Sequence, residues 1–256
     1  MYRRWPFAFA AAAVSFGLAV QPSVAATASK TPSVWSICKT AAKSKGANDG
    51  ETIQKCTAVI DAAANGDKKA AKHLASAHFY RGVAYNSADH EKALADLNEA
   101  VKLRPKFARA WYQRGNVYSD KSMFDSAISD YDHVISLKPK YARAFANRCR
   151  ARAMAAKELD KALADCNQAL ALKAKDNARA QSARGLVFFR AGEYAKALTD
   201  LDAAVAALPK AAGPLYVRGL VKLKKGDKAG GNTDVAAAKA LDGGIAGRYT
   251  ALGLTP

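Results

Sequence analysis

The stretch Ala108–Tyr118, ARAWYQRGNVY, returns with changes at Ala142–Arg152 as ARAFANRCRAR. Both copies contain Ala-Arg-Ala, then an aromatic residue, then an arginine followed by a small residue. The arginine–small pair occurs five times in the chain, at intervals of 33, 34, 36 and 34 residues. A period of this length is typical of a repeat architecture, in which each repeat is one supersecondary unit. The pairs are Arg81-Gly82, Arg114-Gly115, Arg148-Cys149, Arg184-Gly185 and Arg218-Gly219.

Each repeat contains two patterns of helical period. The second pattern follows the arginine–small pair after turn-forming residues, as at Gly192-Glu193 and Gly226-Asp227. Prolines 105, 139 and 209 stand where the second helix of a repeat must stop. No segment alternates with the period of two that marks a strand, so the sequence predicts helix pairs and no sheet. The second-helix patterns are KALADLNEAV, SAISDYDHVI, KALADCNQAL, KALTDLDAAV and GNTDVAAAKA.

Helix pairs of this period resemble the tetratricopeptide repeat (TPR) family. The second unit carries the family's aromatic, small, aromatic, small, aromatic and proline positions most fully. The first and fourth units match most of these positions, the third has cysteines at two of them, and the fifth is rich in glycine. The residues that carry the resemblance are Trp111, Gly115, Tyr118, Ala127, Tyr131 and Pro139; Gly82, Tyr85, Ala93, Leu97, Ala100 and Pro105; Gly185, Phe188, Ala197, Leu201, Ala204 and Pro209; Cys149 and Cys166, with Ala174 at the proline position; and Gly219, Gly231, Val235 and Ala238.

The resemblance implies an all-α fold, a TPR-like α-solenoid of antiparallel helix pairs that form a right-handed superhelix. Small residues at two sites let paired helices approach closely, and large residues fill the space between them. Because one hairpin cannot bury its own apolar face, neighbouring hairpins stack. The five repeats predicted within 75–245 span about 75–107, 108–141, 142–177, 178–211 and 212–245.

The segments outside the repeats have different signatures. Residues 1–26 have a basic start, an apolar run and small residues near Ala26, the pattern of a cleaved signal peptide. The alternative is an uncleaved anchor, but the apolar run is shorter than the roughly 20 residues that span a bilayer. Cleavage after Ala26 or Ala28, and export by the Sec or the Tat route, remain open. Residues 27–74 are expected to form a cysteine-bearing helical hairpin, a degenerate repeat, and residues 246–256 a C-terminal tail.

The arginine of each pair has an aspartate partner at one matching position of the second helix. The separations of 15 to 17 residues place both members about equally far from the intervening turn. We expect a ladder of structural ion pairs that joins the two helices of each hairpin, or each hairpin to its neighbour. The predicted pairs are Arg81 and Asp96, Arg114 and Asp130, Arg148 and Asp165, Arg184 and Asp200, and Arg218 and Asp234.

The Ala-Arg-Ala arginines stand near the start of the first helix of successive repeats. In the family that this chain resembles, these positions and those three, four and seven residues further on face a concave, peptide-binding groove. Asn116, Asn147 and Arg179 coincide with three of the five positions of the family's carboxylate clamp, which grips a peptide's C-terminal carboxylate, although Tyr112 and Ala183 replace its other two cationic residues. The alternative is that Asn116 and Asn147 are present only because asparagine is common at these positions of the repeat. The predicted groove residues are Arg109, Tyr112, Gln113, Asn116, Arg143, Asn147, Arg150, Arg179 and Ser182.

The four cysteines form two symmetric pairs about predicted turns. Cys149 and Cys166 flank the turn of the third repeat, and Cys38 and Cys56 flank the turn of the N-terminal hairpin. In an exported protein this arrangement favours two disulfides within hairpins, the alternative being four buried thiols.

No motif in the sequence supports catalysis or a cofactor. The chain has neither a Cys-x-x-Cys pair nor a His-Glu-x-x-His motif, and no glycine-rich phosphate loop. The sequence therefore predicts neither an enzyme nor a metal site.

The chain has 40 lysines and arginines against 22 acidic residues, a formal net charge of +18. An exported basic protein rarely meets nucleic acid, so acidic proteins or anionic envelope surfaces are the expected partners. We therefore expect a periplasmic scaffold or adaptor that binds an acidic or C-terminal peptide in a basic groove. The alternative is an envelope-associated structural protein that holds anionic polymer or lipid by its overall positive charge. The oligomeric state is left open.

Overall fold

A computed structural model describes residues 33–43, 49–86, 88–172 and 177–255. The predicted signal peptide, residues 1–26, lies outside the described residues. Within the described ranges the chain forms fourteen α-helices and no β-strand. In chain order they are α1 Val34–Ala41, α2 Asp49–Ala64, α3 Lys68–Ala71, α4 Leu74–Tyr85, α5 His90–Leu103, α6 Ala108–Asp120, α7 Phe124–Leu137, α8 Ala142–Met154, α9 Leu159–Ala171, α10 Asn177–Arg190, α11 Tyr194–Ala207, α12 Ala212–Lys224, α13 Lys228–Leu241 and α14 Ile245–Thr250.

The helices pack as a row of hairpins. Five pairs, α4 with α5 through α12 with α13, make the most extensive contacts, and each second helix also packs on the first helix of the next pair. This arrangement is an all-helical TPR-like solenoid, so the predicted fold class is confirmed. The N-terminal helices α1 and α2 form a further hairpin against α4.

The turn inside each of the last four pairs has a residue in the left-handed region at one matching position, and the turn between α8 and α9 has a second such residue, Glu158, with a φ of 46°. The residue at the matching position follows the small site of the first helix by seven positions and is Ser122, Ala156, Gly192 or Gly226. Glycine adopts such a φ at little cost, whereas the φ of 53° at Ala156 is unfavourable for a residue with a side chain.

Close packing of the two helices explains the small site. A Cβ placed on Gly115 would lie 2.8 Å from the Tyr131 ring, and one on Gly185 would lie 2.6 Å from Leu201 Cγ. Tyr131 and Leu201 are completely buried, so neither can move aside without a cost in packing.

The third pair replaces this contact with a covalent bond. Cys149 of α8 and Cys166 of α9, at the same small and large sites, form a disulfide with a Cα–Cα distance of 5.5 Å. Cys38 of α1 and Cys56 of α2 form a second disulfide with a Cα–Cα distance of 4.7 Å. The predicted disulfide bonding is therefore present, and both bridges join the two helices of one hairpin.

The C-terminal tail predicted for residues 246–256 contains a short helix. Residues 246–256 include most of α14, whose Ile245 is 2% exposed, and the following Leu254 is fully buried. Both belong to the same apolar cluster as Leu186 and Leu220 of α10 and α12. No helix in the described ranges is both long and apolar enough to cross a bilayer.

Candidate functional site

The arginine that precedes each small site pairs with the aspartate predicted for it. In the second repeat Arg114 donates from Nε and Nη2 to the two carboxylate oxygens of Asp130, at 2.9 and 2.7 Å. The two side chains are 15% and 3% exposed, so this bidentate pair is largely shielded from water. The same two-point contact joins Arg81 and Asp96, Arg148 and Asp165, Arg184 and Asp200, and Arg218 and Asp234.

The same guanidinium groups also reach the preceding hairpin. Arg114 Nη1 donates to Asn98 Oδ1 of α5 at 2.9 Å, and Arg184 Nη1 donates to Asn167 Oδ1 of α9 at 2.9 Å. The sequence left open whether the ladder joins helices within a hairpin or between hairpins, and in the structure each arginine does both. The other inter-hairpin acceptors are Thr57, Asp132 and Asp202.

Three ladder aspartates have a second basic neighbour, namely His78 for Asp96, Arg152 for Asp165 and Lys222 for Asp234. Burial acts to raise the pKa of Asp96, but the hydrogen bonds from His78 and Arg81 outweigh it and hold the pKa below its ordinary value. Burial of Asp130 instead raises its pKa, because Arg114 offsets only part of the desolvation.

A separate cleft of about 470 Å³ collects most of the predicted groove residues. We call it the central cleft. It contains positions from the first helices of the second, third and fourth repeats, together with residues of α12 and α14. The predicted residues that line it are Tyr112, Asn116, Asn147, Arg150, Arg179 and Ser182.

A hydrogen-bond network forms one wall of the central cleft. Asn147 Nδ2 donates to the Tyr112 hydroxyl oxygen at 3.0 Å and to Asn116 Oδ1 at 2.8 Å. The Tyr131 hydroxyl donates to the same Asn116 oxygen at 2.9 Å, and Asn116 Nδ2 donates to Gln113 Oε1 at 2.6 Å. These contacts fix the side chains of neighbouring repeats before any ligand arrives, which reduces the entropy that binding would cost.

The two tyrosines of this network stay protonated at neutral pH. Burial raises the pKa of Tyr112 and of Tyr131, while the positive charge of Arg150 opposes the shift at Tyr131. Their hydroxyl groups therefore act as hydrogen-bond partners and not as charges.

The other three predicted groove residues, Arg109, Gln113 and Arg143, do not line the central cleft. Arg143 lines a narrow depression that shares Asn147 and Arg179 with the central cleft. Arg109 does not line the cleft, and its guanidinium carbon lies 4.9 Å from the centre of the Phe79 ring. Gln113 reaches the network only through Asn116.

Sequence reasoning missed several residues of the site. Gly213 of α12 and Tyr249 of α14 line the central cleft although both lie outside the periodic positions of the second to fourth repeats. A signal for the inter-hairpin ladder was present, because an asparagine or aspartate recurs two residues after four of the ladder aspartates, at Asn98, Asp132, Asn167 and Asp202. Among the described residues no group of three or more His, Cys, Asp or Glu could hold a metal ion.

Comparison with known proteins gives two family matches. A model described as "TPR repeat" matches residues 89–122, and one described as "Tetratricopeptide repeat" matches residues 108–141. No curated protein sequence matches the chain.

Many solved structures are similar to this chain. The thermophilic TPR protein TTC0263 of Thermus thermophilus is 21% identical with a TM-score of 0.58, and the match covers 70% of this chain and 99% of that one. PilW, a type IV pilus biogenesis factor, is 19% identical with a TM-score of 0.58, covering 66% and 77% of the two chains. YrrB, a TPR protein with an unusual peptide-binding site, is 20% identical with a TM-score of 0.50, covering 77% and 98%. At these identities the likeness is one of fold.

Proposed function

We propose that this chain, part of which matches models of the tetratricopeptide repeat, is a non-catalytic scaffold that binds an acidic or C-terminal segment of a partner protein in the central cleft. The observation that carries this proposal is the chemistry of the cleft wall. Arg150 and Arg179 line it beside the Asn116–Asn147 pair, and Asp120 is the one acidic residue among the described residues that line it. Guanidinium groups suit carboxylates, and asparagine side chains suit the backbone of an extended peptide.

The partner's location is part of the proposal. The N-terminal pattern favours export, and two disulfides within hairpins fit an oxidising compartment such as the periplasm. YrrB is described as having an unusual peptide-binding site, and this description supports a peptide ligand for a chain of similar fold. A partner in the cell envelope is therefore the one to seek.

The test is the affinity for a fluorescein-labelled hexaglutamate peptide, with hexaglutamine as the neutral control. Replacing Arg150 and Arg179, the two arginines that line the cleft, with Gln should weaken hexaglutamate binding at least tenfold, since hydrogen bonds to charged groups contribute about 1.5–3 kcal/mol each. The matched control replaces Lys224 and Lys225 with Gln. These two residues are exposed and do not line the cleft, so the control removes the same charge as the test variant. It should leave the affinity within about twofold.

Equal losses of hexaglutamate affinity in the two double variants, both becoming smaller as salt is added, would contradict the cleft proposal. That outcome would instead favour the second function, a structural protein that holds anionic polymer or lipid by overall charge. An affinity for hexaglutamate no better than for hexaglutamine would contradict the acidic ligand.

A further inference from the structure

Helix α14 is held next to the central cleft by an arginine whose hydrogen-bond partners among the described residues are all carbonyl oxygens. Arg190 of α10 donates from Nη2 to the carbonyl oxygens of Leu252 and Met154, at 2.7 and 3.3 Å, and from Nε to that of Ala153 at 3.3 Å. This guanidinium therefore joins the segment after α14 to the C-terminal end of α8. With Ile245 and Leu254 buried, α14 is a fixed part of the fold.

The aromatic residue of α14, Tyr249, lines the central cleft and an adjoining cleft of about 460 Å³. The Tyr249 ring packs edge-on against Tyr216, with ring centres 5.1 Å apart, and the residue is 9% exposed. A Cβ placed on Gly213, which also lines the cleft, would lie 3.2 Å from the Tyr249 hydroxyl. Within the described part of the chain this hydroxyl has no hydrogen-bond partner, and it is not among the atoms sealed from solvent. The hydroxyl is therefore accessible to solvent.

Arg150 lines the same cleft and differs from the ladder arginines. Its Nη2 donates to Ser119 Oγ at 3.2 Å, and no described carboxylate lies within ion-pair distance of it. Each ladder arginine, in contrast, holds an aspartate at two points. Asp120 is present on the cleft wall but forms no ion pair with Arg150 among the described contacts.

The electrostatic setting keeps the Tyr249 hydroxyl protonated. Burial raises the pKa of Tyr249, and the positive charges of Arg150 and Arg248 oppose that shift. At neutral pH the cleft therefore presents a guanidinium and a phenol, which are both hydrogen-bond donors.

We propose that α14 completes the ligand site, with the Arg150 guanidinium and the Tyr249 hydroxyl together binding one carboxylate side chain of the ligand. Two donors that lack a charged acceptor among the described residues suit a carboxylate, which has two oxygens to offer them. The proposal rests on the proposed function, since it names the part of the cleft that reads an acidic residue. It makes the C-terminal helix a determinant of specificity and not merely a cap on the last repeat.

The test measures hexaglutamate affinity for Tyr249→Phe, which keeps the packed ring and removes only the hydroxyl. We expect about tenfold weaker binding with an unchanged melting temperature. Arg150→Gln should lose at least as much, and the double variant should lose less than the product of the two, because both groups would hold the same carboxylate. Tyr194→Phe is the matched control, as its ring packs on Phe189 away from the cleft, and it should bind normally.

A second variant changes the surroundings of the Tyr249 hydroxyl and leaves Tyr249 itself in place. Gly213→Ala adds a methyl group 3.2 Å from Tyr249 Oη, so it should weaken binding even if Tyr249→Phe fails to fold. If Tyr249→Phe binds within twofold of wild type or more tightly, while the Arg150/Arg179 variant loses binding, the role of α14 is wrong and the proposed function stands. If wild type itself does not bind hexaglutamate, both are wrong.

Discussion

The Arg–Asp ladder gives a stability prediction that separates it from the other arginines of the same helix. In Arg114→Ala the Asp130 carboxylate, 3% exposed, loses both of its guanidinium contacts, and Asn98 loses its donor. Breaking a buried pair from one side costs about 3–5 kcal/mol, because the remaining charge stays buried and uncompensated. Since Arg114 itself is 15% exposed, water can enter the space that it leaves. We therefore expect the lower end of that range, about 3 kcal/mol.

The assay is denaturant unfolding followed by far-UV circular dichroism and by Trp111 fluorescence, with Trp5 and Trp35 replaced by Phe in every variant. Trp111 reports locally, since the Arg114 guanidinium carbon lies 4.6 Å from its ring centre. A local probe is needed because stacked repeats can unfold separately, so that one global transition cannot be assumed. In thermal scans the loss should lower the melting temperature by roughly 6–12 °C, at about 2–4 °C per kcal/mol for a chain of this size.

Two further variants make this prediction refutable. Arg109→Ala, in the same helix but on the exposed side, should cost less than about 1 kcal/mol. Asp130→Asn added to Arg114→Ala should recover part of the loss, because the neutral side chain leaves no buried charge. A loss below about 1 kcal/mol in Arg114→Ala, or no recovery in the double variant, would show that the ladder does not stabilise the solenoid as argued.

Two other stability predictions follow from the third repeat. Replacing Cys149 and Cys166 with Ala should lower the free energy of unfolding by about 3 kcal/mol, the chain-entropy value for a loop of this size, and a loss under about 1 kcal/mol in denaturant titration would contradict it. Ala156→Gly should raise stability by about 0.5–1 kcal/mol, because the left-handed φ of 53° costs a residue with a side chain more than it costs glycine. Ala155→Gly, at a φ of −72°, is its control and should destabilise; gains at both positions would refute the φ argument.

The repeat itself could be derived from the sequence because its determinants are local. The arginine–small pair, the aspartate that follows 15 to 17 residues later and the turn residues all lie within one hairpin. Their spacing is enough to predict helix pairs and the disulfides, since a hairpin brings residues together that are equally far from its turn.

The rest depends on how successive hairpins stack. Whether Arg109 faces the cleft or the ring of Phe79 depends on the rotation between two repeats, and one repeat's sequence does not contain this angle. Helix α14 was missed because IAGRYT, Ile245–Thr250, is too short to show a helical period and follows Gly243-Gly244. Its burial comes from apolar surface of α10 and α12 that becomes available only in the folded solenoid.

The central claim is that an acidic segment binds in the central cleft, and photo-crosslinking tests it most directly. A hexaglutamate peptide with a benzophenone side chain in the middle would be irradiated with the wild-type protein, and the adducts mapped by mass spectrometry. We predict adducts within α6, α8 and α14, the helices that supply Tyr112, Asn147 and Tyr249 to the cleft. Adducts concentrated on α5, α7 and α9, the second helices of the first three pairs, would contradict the account.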